Sequence, residues 1–217
     1  YHHKPVFKHT PQLLQLLLMY SASMFDEELC HCNQAYAITL EDLFETMAMS
    51  FNSHKFYDIV LKFTKNFTDE IAPLYSILLL VLNSISELSY VIEEVGIRDI
   101  FKFIKKAFAV EHHVIREICL EVLQKMVVSV PYSMNAKGDK LVEMAMSSIT
   151  EDKTMNSFAI NLICSICYEL DLMPTTTNSI VQLAMHLSQT NGIVDNNTVW
   201  LLISYSAHAA REDCADY

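Results

Sequence analysis

The chain has 217 residues, 52% of them hydrophobic and 19% charged, enough apolar material for a sizeable core, which excludes a disordered chain. Its three glycines, Gly96, Gly138 and Gly192, stand too far apart for a phosphate-cradling loop or a dinucleotide-binding turn, and a turn-rich β-protein wants more glycine and proline. The net charge of −11 disfavours general nucleic-acid binding, which needs cations to displace counterions from phosphates.

The expectation that remains is an all-α chain. It opens on Tyr1 rather than methionine, which reads as a fragment of a longer protein. Residues 10–25 and 71–86 are charge-free stretches of sixteen residues each. A membrane span needs about 20 predominantly apolar residues, so both read as buried core helices and no membrane partner is expected. Thr10-Pro11 sets a capping hydroxyl before a first-turn proline, and Thr39 caps a helix that begins Leu40-Glu41-Asp42. Residues 1–53 form an N-terminal helical cap or a degenerate repeat.

Cys30-His31-Cys32 has no second ligand pair at structural-zinc spacing, so no metal and no cofactor is expected. Cys119, Cys164 and Cys167 lie in apolar text, where cysteine acts as a small buried hydrophobe. This usage fits a reducing, intracellular compartment, cytoplasmic or nuclear. The triplets Asn66-Phe67-Thr68 and Asn196-Asn197-Thr198 are glycosylation-like patterns of the kind that arise by chance.

From residue 54 onward the text repeats. Aligned apolar pairs begin at Ile59, Ile100, Leu141 and Ile180, steps of 41, 41 and 39 residues. A longer apolar segment follows each pair, roughly over 72–88, 112–129, 154–170 and 196–210. Taking Leu79, Leu120, Asn161 and Trp200 as equivalent positions reproduces the same steps. Asp69 and Pro73 open one long helix, Gly96 and Gly138 each precede a marker helix, and Pro131 and Pro174 end the long helices before them. Such units bury their apolar faces against one another. The four first markers are therefore expected in the core, as are methionines such as Met126, Met144 and Met155.

The run from Val91 to Ile104, with Gly96 and the paired aliphatics after it, resembles the middle of an armadillo repeat, and 114–128 resembles that repeat's third helix. The later copies are closer to two-helix HEAT units. The resemblance implies a right-handed superhelix of about four repeats over 54–217, continuous with 1–53 as one domain. It also implies that the third helices line a concave groove. That groove would hold Tyr75, Leu79, Asn83 and Glu87, then Arg116, Leu120, Gln124 and Val128. Ser157, Asn161, Ser165 and Glu169 would follow, then Asn196, Trp200, Ser204 and His208. Armadillo proteins that hold extended peptides use an asparagine ladder on these helices, and the matching positions here are Asn83, Gln124, Ser165 and Ser204.

The expected function is accordingly non-catalytic: a scaffold or adaptor that binds a peptide or helical segment of a partner protein. The candidate contacts are Asn83, Leu120, Gln124, Asn161, Ser165, Trp200 and Ser204. The alternative is an assembly or dimerisation part of a large intracellular complex. No triad, carboxylate pair or ligand motif points to an enzyme. A second feature is basic: Lys62, Lys65, Arg98, Lys102, Lys105 and Lys106 fall on or beside the first two marker helices, either as a ridge for an acidic segment or as a solvated face.

Overall fold

The computed structural model describes residues 4–26, 31–32, 34–150, 153–190 and 194–214. Among them the chain is all-helical apart from one two-residue ladder, and it divides into two compact units, Tyr1–Val122 and Leu123–Tyr217.

The first unit is built around its longest and most apolar helix. Helix α1 (Lys4–Ser23) leads into the antiparallel pair β1 (Phe25–Asp26) and β2 (His31–Cys32), followed by α2 (Gln34–Ser50), α3 (Ser53–Lys65) and α4 (Ile71–Val95). Helices α1, α2 and α3 all pack on α4. That explains why α4 is apolar nearly all round: Leu74, Leu78, Leu80, Ile85, Leu88 and Ile92 are each 1% exposed or less. By length and composition alone α4 could cross a membrane, but 61% of its most apolar window is already covered within the chain. The helix also runs well past the charge-free stretch, through Glu87, Glu93 and Glu94. Its two buried serines bond helix carbonyls: Ser84 Oγ donates to Leu80 O at 2.7 Å and Ser76 Oγ to Ala72 O at 2.9 Å.

Gly96 closes α4 at φ 93°, with its N–H on Ile92 O at 2.7 Å. A residue with a Cβ is strained at that φ, so glycine is required by conformation. Its carbonyl accepts the Tyr57 hydroxyl at 3.1 Å. Helix α5 (Arg98–Phe108) then buries Ile100, Phe101, Phe103, Ile104 and Ala107 and exposes its lysines. Helix α6 (His113–Ser129) follows, with the His112 and His113 rings stacked at its start, 5.0 Å apart.

The second unit holds α7 (Pro131–Asn135), α8 (Gly138–Ser147), α9 (Lys153–Glu169), α10 (Pro174–Gln189) and α11 (Asn196–Cys214). Helix α9 packs on α8 and α11, and α10 packs on α11. Pro131 and Pro174 each take the first helical position, where the missing N–H costs no hydrogen bond. Gly138 differs from Gly96: a Cβ there would meet Leu172 Cδ2 at 3.1 Å, so it is small because a neighbour is close. Two polar clips order the loops. Asn135 and Asp171 exchange two bonds of 2.9 Å. The buried Asn156 amide takes both backbone groups of Thr150, at 2.8 and 2.7 Å.

Several expectations shift. Helix α1 begins at Lys4 and carries Pro11 inside it, so Thr10 is a buried interior residue rather than a cap. An interior proline removes only one helix bond, and Leu14 and Leu18 still anchor the following turns in the core. Helix α2 begins at Gln34 rather than after Thr39, because Ala35 and Ala37 carry the helix without a break. Of the first markers, Ile100, Leu141 and Ile180 are buried at 1%, 0% and 0%, whereas in α3 the buried residue is Val60 and Ile59 is half-exposed. Met126 and Met155 are buried and Met144 is half-buried, but Met19, Met49, Met173 and Met185 are all more than half exposed. A short helix, α7, precedes α8 where the sequence reading expected none.

Candidate functional site

The second unit carries a cleft of about 300 Å³ with walls from three helices. Helix α6 contributes Gln124 and Val128, one turn apart. Helix α9 contributes Asn161, Cys164, Ser165, Tyr168 and Glu169, a stripe at helical spacing. Helix α11 contributes Leu201 and Tyr205. The three stripes lie opposite each helix's buried phase, which is Leu162, Ile163 and Ile166 on α9 and Val199, Leu202 and Ser206 on α11.

The wall is amphipathic. Tyr168, 63% exposed, meets Tyr205 edge-on with centroids 6.0 Å apart, and the His208 ring lies 5.9 Å from Tyr168. Leu201 and Val128 add exposed apolar surface at 49% and 54%. The side-chain amides of Gln124 and Asn161 make no hydrogen bond among the described residues, whereas the Ser165 hydroxyl donates to Asn161 O at 3.0 Å. Glu169 adds a carboxylate at one end.

The candidate residues thus divide. Gln124, Asn161 and Ser165 come together in this cleft, with Val128 and Glu169 of the expected groove. Trp200 is 68% exposed and Ser204 is exposed, but Leu201 and Tyr205 are the residues of α11 that face the cleft. One residue along a helix is a rotation of about 100°, so a marker off by one turns Trp200 away from the cleft wall. Leu120 is a correction: at 0% exposure it belongs to the core and has no surface to offer a partner. Leu79 is likewise buried at 2%, Tyr75 packs against Phe25 at 5.1 Å, and Asn83 is half-buried with its amide donating to Leu79 O at 3.0 Å. The tyrosine pair was missed, although Tyr168 sits three residues after the ladder position Ser165 and Tyr205 one residue after Ser204, on helices already picked out.

Elsewhere in the unit, Asp195 caps α11: its carboxylate accepts the Thr198 hydroxyl and the Thr198 N–H at 3.0 Å, which holds its pKa below the usual carboxylate range. Thr198 of one glycosylation-like triplet therefore has a capping role, and in the other Thr68 accepts the Glu70 N–H at 3.2 Å. Burial raises the Cys164 and Cys167 thiols from 9.0 to about 12, and raises Cys119 further still. Cys30 lies outside the described residues, and among those described no three His, Cys, Asp or Glu side chains gather as metal ligands.

The first unit has a smaller hollow of about 220 Å³ beside α3. Phe51, Phe56 and Ile59 form its apolar wall, and Lys55 and Lys62 are among its polar lining residues. This is why Ile59 is half-exposed. Compared with known proteins, the chain matches no family model, no curated protein and no solved structure.

Proposed function

We propose that this chain is a non-catalytic, intracellular protein-interaction module built from armadillo- or HEAT-type helical repeats, and that the cleft of its second unit holds an extended segment of a partner protein. The observation that carries the reading is the pair of amides on Gln124 and Asn161. Both are unbonded among the described residues and both border one cleft with Tyr168 and Leu201. An extended chain has unpaired N–H and C=O groups, which such amides can satisfy. Tyrosine supplies a large contact surface at low entropic cost. The buried thiols fit a non-catalytic role, because a thiol raised to about 12 is neutral at physiological pH and a poor nucleophile.

Photo-crosslinking tests this. A benzophenone side chain at position 201 should capture a discrete partner from cell extract, and Asn161→Ala should reduce that capture. The same probe at Tyr132, which is 91% exposed on α7, should not capture it. Equal capture from both positions would remove the cleft from consideration.

One observation favours the second reading, an assembly surface. Helix α1 exposes Leu13, Leu16, Met19 and Tyr20 at 44%, 64%, 62% and 43%. Such a contiguous apolar stripe is uncommon on a free monomer. Light scattering decides it: a dimer dissociated by Leu16→Glu supports assembly, and a monomer leaves the cleft reading standing.

A further inference from the structure

The first unit carries an uneven distribution of charge. Five of the chain's 15 basic residues are Lys62 and Lys65 on α3 and Lys102, Lys105 and Lys106 on α5. The two helices pack on each other, and all five side chains are exposed. Phe67, just after α3, joins the helix ends. Its ring lies 6.3 Å from that of Phe103 on α5, and Lys106 Nζ sits 5.6 Å above it.

None of these lysines is neutralised. His54 Nε2 and a Glu94 carboxylate oxygen approach at 3.6 Å, and among the described residues no carboxylate lies within bonding distance of the five ammonium groups. Asp58, one turn before Lys62 on α3, lines the same hollow as Lys62; Asp99 lies in the opening turn of α5, and Asp69 and Glu70 follow Phe67, all four exposed. Lysines in the last turns of α3 and α5 favour the helix dipoles, but that accounts for the end residues and not for Lys102 in mid-helix. At one end of the ridge Lys62 also lines the hollow formed by Phe51, Phe56 and Ile59.

We infer that this α3–α5 ridge is a docking surface for an acidic protein segment, whose carboxylates pair with the five lysines and which sets one apolar side chain in the hollow beside Lys62. The charge complementarity is local. A chain of net −11 repels a long polyanion, whereas a short acidic segment meets only the positive strip. This surface is independent of the cleft in the second unit.

The test is fluorescence anisotropy with a labelled dodecapeptide of alternating glutamate and glycine carrying one central leucine. Its glutamine counterpart and an oligodeoxynucleotide of equal charge serve as comparisons. The glutamate peptide should bind best, and binding should fall with added salt. Lys62→Gln with Lys65→Gln, or Lys105→Gln with Lys106→Gln, should weaken it about tenfold, while circular dichroism shows the fold intact. Lys137→Gln with Lys140→Gln, in the second unit, should leave it unchanged. The proposal is overturned if the glutamine peptide binds equally, if the oligonucleotide binds more tightly, or if the second-unit variant weakens binding as much as the ridge variants.

Discussion

At positions that the sequence alignment sets as equivalent, α4 of the first unit places Leu79 and α9 of the second places Asn161. Leu79 is 2% exposed and sits in the core, whereas Asn161 is exposed on a cleft wall. One turn later the two helices agree again: Asn83 and Ser165 each bond the carbonyl four residues back, at 3.0 Å in both cases. Phase therefore sets where a residue stands on its own helix, and the neighbours decide what that place is. Helices α1, α2 and α3 pack on α4, while α9 packs on α8 and α11 and turns one face to the cleft. A ladder of polar residues read along a sequence does not distinguish these two situations.

Exchanging the two residues breaks the comparison most directly. Leu79→Asn puts an amide where α4 offers no partner beyond its own backbone. It also removes buried apolar volume, and should cost about 4 kcal/mol or more, read from urea unfolding. Asn161→Leu should leave stability within about 0.5 kcal/mol and lower partner capture. A mild Leu79→Asn would mean that this face of α4 is open in solution.

Both units also bury thiols, and pH tests whether they do so to the same extent. The folded values of Cys164 and Cys167, about 12, stand above the ordinary 9.0 because burial disfavours the thiolate, and Cys119 is raised further by the same cause. The unfolded chain releases these protons first as pH rises. The contribution is therefore fully present below pH 9 and is lost as pH climbs through the folded values. The upper limit of that loss is about 1.4 kcal/mol per thiol per pH unit. Thermal midpoints of the parent and of Cys119→Ser and Cys164→Ser between pH 7 and 10.5 measure it. A parent whose midpoint is no more alkali-sensitive than either variant's would show that the thiols are solvated.

Much of the helical plan was legible because apolar periodicity survives without knowledge of neighbours. The long segments expected near 72–88, 112–129, 154–170 and 196–210 are α4, α6, α9 and α11. What was not legible turns on a single residue or on a tertiary neighbour. Val60 rather than Ile59 is buried because the hollow beside α3 takes Ile59. Gly138 signals a turn in sequence, but its smallness serves Leu172, 34 residues away. The starts of α1 and α2 were placed late, because proline and threonine mark helix ends only when no tertiary packing overrides them.

A smaller effect is expected at the Asn156 loop clip of the second unit. Asn156 is 0% exposed and holds Thr150 by two hydrogen bonds. Asn156→Ala leaves both backbone groups of Thr150 without that partner, and should cost about 1–3 kcal/mol. Hydrogen exchange at Thr150 should accelerate ahead of the core of α9. Uniform acceleration along the unit would instead make the clip part of the global fold.

The smallest stability change is expected at Trp200, the chain's single tryptophan. It is 68% exposed on α11, outside the residues that line the cleft. Packing between repeats would have made Trp200→Ala cost several kcal/mol, whereas an exposed ring should cost within about 0.5 kcal/mol. Its emission should be red-shifted and readily quenched by acrylamide in the free protein. Leu201 and Tyr205, its neighbours on the same helix, do face the cleft, so a segment bound there comes close to the indole without needing it. Partner binding should therefore partly protect Trp200 from the quencher. Leu201→Ala should weaken capture more than Trp200→Ala does. The reverse order would return the indole to the centre of the docking site and move the groove one residue around α11.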